Sequence, residues 1–382
     1  VGVAPENPFV ISWITSLRGH ELCRFPYPSA EEGAEIRRQR NDGTLTLEPP
    51  MRVSQVVIEP ALKQLAEEKD EVQVWFSWNV ESFEQAADSV TALLRNPQTG
   101  ETRHVRARYL VGCDGGASTV RQRLGIPLEG KSDEAQAYMI HFRSTDLDLL
   151  QRFGVAWHYQ TGAGTMIAQN DIDTWTLQYF LAPGMNASDL DPHTVLEQWM
   201  GRKFAYEILL ANPWSAHFLV ADRYREGRVF IAGDACHQWM PTGGYGMNSG
   251  VADADNLAWK IAAALSGWGG ERPLDSDEGG RRPVALMSRA TAHRHLGIRV
   301  QIAQLYGEAD DLSGDSVAQD AKRKELGRKI VELGNAENEG WGAEHGYRYE
   351  SAVVDAEGGT PPPFDPLAYS PSTWPGCRLA HG

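Results

Sequence analysis

Residues able to do chemistry concentrate in one run, Arg228-Val-Phe-Ile-Ala-Gly233-Asp234-Ala-Cys-His237-Gln-Trp-Met-Pro241-Thr-Gly243-Gly244-Tyr-Gly246-Met247-Asn248. An apolar stretch ends at Gly233-Asp234, so a strand would hold the Asp234 carboxylate at a fixed point, ready to accept hydrogen bonds from a ligand's hydroxyls. Gly243, Gly244 and Gly246 then let main chain approach a flat ligand closely, where a Cβ would hold it off. The residues from Ser249 to Lys260 read as a helix, with Asn248 and Ser249 as candidate caps. Unpaired N–H groups at its N-terminus and the positive end of its dipole would stabilise negative charge. The pattern is a cofactor cradle. A plain strand-loop-helix with a Gly-rich turn carries some of the same residues.

A second run, Arg108-Tyr-Leu-Val-Gly112-Cys-Asp114-Gly115-Gly-Ala-Ser118-Thr-Val-Arg121-Gln-Arg-Leu-Gly125, stands more than a hundred residues earlier. It reads as a strand ending at an Asp-Gly turn, then a short helix capped by Ser118 and stopped by Gly125. A dinucleotide stretched along a sheet requires ligand-type carboxylates at neighbouring strand ends, so Asp114 and Asp234 are expected side by side. A buried strand with an Asp-Gly turn is the plainer reading. A third run, Met51-Arg-Val-Ser54-Gln55-Val-Val-Ile-Glu59-Pro-Ala-Leu62, is readable as a short amphipathic helix capped by Ser54.

Together these runs resemble the group A flavoprotein aromatic hydroxylases, the family of p-hydroxybenzoate, phenol and 3-hydroxyphenylpropionate hydroxylases. The resemblance is carried by Gly-Asp-Ala-x-His-x-x-x-Pro-Thr-Gly-Gly-x-Gly-Met-Asn, from Gly233 to Asn248, and by Asp-x-x-Asn-Leu-x-Trp-Lys after it. It implies that Gly233 and Asp234 bind FAD, the Asp through the ribityl chain. It also implies that Pro241 and the backbone of Gly246, Met247 and Asn248 lie against the isoalloxazine ring, with Gly243 and Gly244 in the same cofactor-binding loop. Asp114, Gly115 and Arg121 would hold the FAD pyrophosphate region and the reducing nicotinamide cofactor, and Gln55 would reach the flavin. Many members have a Pro-Pro pair before Thr-Gly-Gly; this chain has Met240-Pro241, which keeps the ring-contacting proline and tunes the pocket.

The implied reaction hydroxylates a phenolic or other aromatic substrate with O2 and NAD(P)H through a flavin hydroperoxide. The flavin carries the difficult step. The protein adds stabilisation of negative charge, a task for the helix after Asn248, and exclusion of water. A general base near the ring hydroxyl would help, and the sequence does not reveal it. His158 and Tyr159, with His141 and Tyr179, lie on strands of the expected pocket sheet and are chemically suitable as substrate contacts; ordinary amphipathic strands carry such residues too. Two further readings stay open. One is another FAD-dependent oxidoreductase, a halogenase or oxidase, although no Trp-x-Trp-x-Ile motif occurs. The other is a non-catalytic or fragmentary homologue that does not hold FAD.

The elements that must position these residues are mixed. The family's opening strand, Gly-x-Gly-x-x-Gly turn and helix do not occur within the 382 residues, and the Pro-rich stretch from Thr360 resembles a linker to a thioredoxin-like domain. The chain is therefore expected to be the middle of a longer polypeptide. The expected fold is α/β (α+β): a glutathione-reductase-like FAD-binding domain incomplete at its N-terminus, an inserted β-sheet substrate domain and a helical C-terminal part. Boundaries are placed at 1–130 for the partial FAD-binding domain, 131–222 for the substrate sheet, 223–340 for the Gly-Asp motif with following helices, and 341–382 for the linker. Alternating patterns predict strands at 72–81, 89–95, 137–143, 155–160, 164–169 and 174–180, with a hairpin turn at 96–100. Beyond Lys260 the pattern is helical, with loop interruptions at Gly267-Trp-Gly-Gly and Asp277-Glu-Gly-Gly, and with His293 and His295 on a solvated basic face.

Composition bounds the rest. A 382-residue chain with 42% hydrophobic residues can build two or three packed domains at ~100–200 residues each. A net charge of −15 argues against a nucleic-acid partner, because phosphate neutralisation needs clustered Lys and Arg. No apolar run approaches the ~18–20 residues of a membrane span. Cys23, Cys113, Cys236 and Cys377 form no CxxC pair and fit a reduced cytoplasm. Cys236-His237 lacks the further ligands a metal needs, so no metal is expected. The expected partners are a small aromatic substrate and O2, with self-association left open.

Overall fold

The computed structural model describes residues 3–40, 42–155, 157–309, 311–355 and 358–380. Its largest sheet has eight strands, in the order His237–Trp239, Glu207–Ala221, Leu128–Arg143, Thr174–Phe180, Gly164–Ala168, His158–Thr161, Phe9–Ile14 and Glu21–Tyr27. Side chains alternate across it, as the period of two requires. One face sends Ile140, Phe142, Met166, Trp175 and Leu177 into a core with Leu196 and Met200 of the helix Pro192–Met200. The other face carries His158, Thr165, Ile167, Gln178 and Phe180, and these front a cavity instead.

The expected strand at 174–180 is found as such. The one expected at 155–160 begins only at His158, and Ala156 lies outside the described residues. Residues grouped by sequence with the cofactor domain complete this sheet: Phe9–Ile14 runs parallel to His158–Thr161, with Ile11 opposite His158. Nothing local in the sequence marks that pairing, because its partners lie about 150 residues apart.

A second sheet joins the two motif strands. Leu110–Gly112 and Val229–Ile231 pair in parallel, with Gly112 opposite Ile231, and Arg225–Glu226 closes the outer edge. Parallel strands must be covered on both faces, and these are. Phe230 packs with Leu257 and Leu274 on one side, while Val229 and Ile231 pack with Val120, Val220 and Ala285 on the other.

A third sheet is an antiparallel meander of Asn79–Gln85, Val90–Arg95 and Thr102–Ala107. The strand expected from residue 72 starts seven residues later, and Trp75 and Phe76 are exposed. The hairpin turn at 96–100 forms where expected: Asn96 Oδ1 accepts from the N–H groups of Gln98 and Thr99, and Gly100 takes φ +75°.

Two sequence expectations for the helical part are corrected. Gly279-Gly280 does not interrupt a helix; Arg272–Glu308 runs straight through it. Glycine costs about 1 kcal/mol in a helix, but the chain crosses here, and a Cβ on Gly280 would sit 3.2 Å from the Tyr349 ring. His295 is not solvated either. It is buried on that helix, with Nε2 3.3 Å from the Tyr245 hydroxyl. Residues beyond 340 fold back on the body, where Ala343 packs with Met240 and Tyr245 and the Tyr349 hydroxyl accepts from Arg281 Nη1 at 3.1 Å, and the segment is tied to itself by Ala343 N to Pro366 O and Tyr349 N to Gly376 O, each at 2.9 Å. No helix among the described residues is long and apolar enough to cross a membrane.

The longest strand pairing, Leu128–Arg143 with Glu207–Ala221, passes a tight point at Gly130. There φ is +134°, and an added Cβ would lie 2.0 Å from Phe218 O. Gly130→Ala is expected to cost about 1–3 kcal/mol, the usual range for overpacking. Urea unfolding checks this, and an unchanged midpoint would show that the strand pair yields freely.

Candidate cofactor and substrate site

The strand Val229–Ile231 runs out at Ala232, and Gly233, at φ +62°, turns the chain so that Asp234 projects into solvent. This turn is held from behind by a buried carboxylate. Asp253, 3% exposed, lies on the helix Tyr245–Leu265. Its Oδ2 accepts from Gly233 N at 3.0 Å and lies 2.7 Å from His237 Nε2, and its Oδ1 accepts from Arg281 Nε at 2.6 Å. Burial pushes this carboxyl up, but His237 and Arg281 outweigh burial and hold it below its ordinary value.

Arg281 also donates to Ser249 O at 3.2 Å and to the Tyr349 hydroxyl at 3.1 Å. One helical turn on, Asn256 Nδ2 donates to Asp277 Oδ1 at 2.7 Å, and Lys260 Nζ lies 3.6 Å from the same oxygen. The Asp-x-x-Asn-Leu-x-Trp-Lys stretch is thus a clamp that fastens the motif to the helices behind it. Cys236, His237 and Asp253 bring metal-type ligand atoms together. Both Asp253 oxygens are already engaged, and burial, with Asp253, raises the Cys236 thiol well above its ordinary value, so the trio is a hydrogen-bonded cluster.

Asp114 stands beside this turn, two residues past Gly112. It accepts from Ser118 Oγ and from Val120 N (3.0 Å), while Ser118 Oγ caps the short helix Thr119–Arg123 by accepting from Arg121 N at 2.9 Å. Arg121 is 6% exposed, and its guanidinium donates to Ala235 O at 2.9 Å and Gly116 O at 3.0 Å. It ties the two motifs together through their backbones. Gln55, first residue of the helix Gln55–Glu67, is exposed and does not line the cavity; Ser54 takes the cap position without a side-chain cap bond.

The helix after the glycines starts earlier than its sequence suggests. Gly244 is its N-cap, in the left-handed conformation at φ +70°, so Asn248 and Ser249 are not caps. Asn248 sits in the first turn with its Nδ2 donating to Gly244 O at 2.8 Å, and Ser249 is buried. A Cβ at Gly243 would strike the Tyr245 ring at 2.4 Å. At Gly115, Gly244 and Gly246 a Cβ would meet no atom within 4 Å. Open space there is bounded by bare backbone, by exposed Met247 and by a helix N-terminus whose first N–H groups have no intrahelical partners. Such a rim, with Asp114 and Asp234 exposed at adjacent strand ends, fits an extended ligand carrying hydroxyls and phosphates.

The loop Met240–Gly244 also walls the cavity of about 480 Å³ fronted by the large sheet. His158 lines it. Tyr159 and Tyr179, expected there from sequence, do not: they fall on the alternate face, where Tyr159 is 1% exposed with its hydroxyl donating to Gly154 O, and Tyr179 packs on the core. His141 lies outside the lining with Nδ1 2.9 Å from Thr176 Oγ1. Burial lowers the His158 imidazole well below its ordinary value, and Arg52 and Arg299 reinforce this, so it is neutral. Arg52 lies over the Trp157 ring at 4.7 Å, and burial lowers it to about 9.

The opposite wall comes from the segment read as a linker and the turn before it. Glu337 is bound by Arg299 through two contacts, Nη2–Oε1 at 2.6 Å and Nε–Oε2 at 3.1 Å. Trp341 and Glu344 belong to the short helix Trp341–His345 and line the cavity. Glu344 keeps 38% of its side chain accessible yet stands among desolvating protein groups, and burial raises its carboxyl to about 7. Sequence reading missed these residues; the aromatic-carboxylate spacing Trp341-x-x-Glu344, which puts both on one side of a helical turn, was the available signal.

Because Asp253 neutralises Arg281 in the interior, Asp253→Asn would leave a buried guanidinium short of its counter-charge. The expected loss of stability is about 3–5 kcal/mol. Thermal or denaturant unfolding reads it, and a loss below about 1 kcal/mol would show that the clamp is dispensable.

Residues 23–290 match the family described as FAD binding domain. An "FAD-dependent monooxygenase opdD" from Penicillium oxalicum is 37% identical over all of this chain and 76% of its own length. "Aklavinone 12-hydroxylase DnrF" from Streptomyces peucetius is 31% identical over 98% of this chain and 72% of its own. Among solved structures, the flavin-dependent monooxygenase PieE, crystallised with FAD and substrate, superposes with a TM-score of 0.86 at 28% identity, covering 99% of this chain and 69% of that one. The chain thus spans roughly seven tenths to three quarters of these relatives. By the family match across both motifs and by whole-length similarity to such enzymes, it belongs to the FAD-dependent monooxygenases.

Proposed function

We propose that the protein hydroxylates a phenolic or other aromatic substrate, with FAD along the glycine rim and the substrate in the adjoining cavity. Bound FAD supplies the redox and oxygen-activating chemistry, with NAD(P)H as reductant and O2 as oxidant. The chain's own residues bind, orient and exclude water. Asp234 accepts hydrogen bonds from the ribityl hydroxyls. Asp114 and Gly115, in the turn that Arg121 ties down, face the pyrophosphate. Gly233, Gly243, Gly244, Gly246 and the first turn at Met247 and Asn248 let the cofactor approach backbone, and the helix N-terminus stabilises negative charge on the ring.

One observation carries this reading: Pro241 to Gly244 wall the cavity and lead directly into the helix N-terminus at the glycine rim, so a single loop is placed where it would touch both ligands. Trp157, Phe180, Trp214 and Trp341 give the cavity aromatic walls for a flat ring. Trp214 is fixed by donating Nε1–H to Gln178 Oε1 at 2.8 Å. The cavity's size lies within the roughly 300–1,000 Å³ typical of small-molecule sites. His158 offers the substrate a neutral imidazole. Free cysteines at all four positions suit a reducing cytoplasm.

The test is to titrate the chain with FAD and follow flavin absorbance, then add NAD(P)H and a phenol panel and detect hydroxylated product by mass spectrometry. Asp234→Ala is expected to weaken FAD binding by about 10–100-fold, the loss of one or two charge-assisted hydrogen bonds. Its unfolding midpoint should be unchanged, since Asp234 is exposed and makes no side-chain bond among the described residues. Equal FAD affinity in the two proteins would remove Asp234 from the site.

A further inference from the structure

Four charged side chains line the cavity among the described residues, and three are committed. Arg37 donates to Thr46 O at 2.8 Å and Gly33 O at 2.8 Å, and Arg299 and Glu337 neutralise each other. Among the described residues the Glu344 side chain makes no hydrogen bond, and His345 Nε2 lies 3.7 Å from its Oε2. Gly340 lies close to both Glu344 and Tyr245, the first residue of the helix that leaves the glycine rim. A Cβ there would lie 2.5 Å from the Tyr245 hydroxyl and 3.8 Å from Glu344 Oε1. An uncommitted carboxyl therefore faces the cavity on the side where the loop Pro241 to Gly244 meets it.

We propose that Glu344 is the acid–base group of the reaction, taking the proton from the substrate's ring hydroxyl. This rests on the aromatic-hydroxylase reading above. The O–H bond of the phenol breaks, its electron pair stays on the oxygen and raises electron density at the ring carbon to be hydroxylated, and the proton forms a new O–H bond on Glu344. No oxidant takes part in this step.

The surroundings suit the task. Burial raises Glu344 to about 7, close to where a general base works best. Its neighbours do not pin it in the charged form. His345 is lowered to about 4 by burial, then by Arg378 and Arg37, so it is neutral. Tyr245 is pushed up by burial, then by Glu344 and Glu337, and keeps its proton. In the same cavity the Arg299–Glu337 pair carries no net charge, and Tyr27 donates to Glu339 Oε1 at 2.7 Å. His158 is neutral. The sign follows: below about 7 Glu344 holds a proton and cannot accept another, so kcat/KM should rise as pH rises through about 7.

The experiment compares wild type and Glu344→Gln, loaded with FAD, on whichever of a set of simple phenols, naphthols and hydroxyanthraquinones the wild type turns over fastest. Above the inflection the variant should lose about 100-fold or more in kcat/KM, the lower range for general base catalysis, with the gap closing below it. Its profile should lose the rise near 7, while FAD affinity and unfolding midpoint stay at wild-type values. Infrared difference spectra should show a carboxylic acid titrating near 7 in wild type alone. An active wild type with an equally active variant, or a variant weakened by the same factor at every pH, overturns the role of Glu344. A wild type that binds FAD yet hydroxylates nothing in the set overturns the hydroxylase reading itself, and this inference with it.

Discussion

The Asp253 carboxylate is the constraint on which the cofactor side depends. It holds the Gly233 N–H in a left-handed turn, pairs with His237 and faces Arg281, and through Arg281 it reaches Ser249 and Tyr349. Strand end, loop, helix and returning C-terminal segment thus meet at one buried charge. Buried ion pairs are poor sources of net stability, because desolvation offsets most of the attraction. Here the cluster gives geometry. Swapping Asp253 for an apolar residue would free Gly233 to turn otherwise, and Asp234 would lose its fixed direction. His237 adds to this by stacking on Trp239 at 4.5 Å, which steadies the approach to Pro241.

The cavity balances most of its charge, the Arg37 guanidinium, held by the Thr46 and Gly33 carbonyls, being the exception among the described residues. Its imidazole is uncharged, its Arg–Glu pair cancels, and Glu344 is poised between its two states. A neutral phenol can enter such a space without a large electrostatic penalty, and a negative charge formed on it has the helix N-terminus nearby. Aromatic walls exclude water without adding charge. The two halves of the site thus differ in kind: an open rim with carboxylates and bare backbone, and a cavity with aromatic walls behind the loop Met240–Gly244.

Local sequence made the two motif strands and their turns legible. Gly-Asp at the end of an apolar run and Asp-Gly with a Ser cap have short-range causes, so both strand-turn-helix units stand where expected. The substrate side depended on facts that local pattern does not hold. His158 and Tyr159 are equally plausible neighbours until the sheet's facing is known, and a shift of one residue exchanges them. The helix start at Tyr245 was hidden by the preference for Asn and Ser as caps, where a left-handed Gly244 does the work. Gly279-Gly280 looked like a break because the reason for glycine, the crossing Tyr349, lies about 70 residues on. Trp341 and Glu344 were overlooked in a Pro-rich region whose folding back is a tertiary fact.

In the proposed arrangement one loop, Pro241 to Gly244, touches the cofactor on one side and the substrate on the other. A crystal structure of the chain soaked with FAD tests it most directly. The expected result is the ribityl chain at Asp234, the ring against Pro241 and Gly244, and the ring's edge opening into the cavity lined by Trp214 and Trp341. A ring bound elsewhere, or one whose edge is walled off from that cavity, would contradict it.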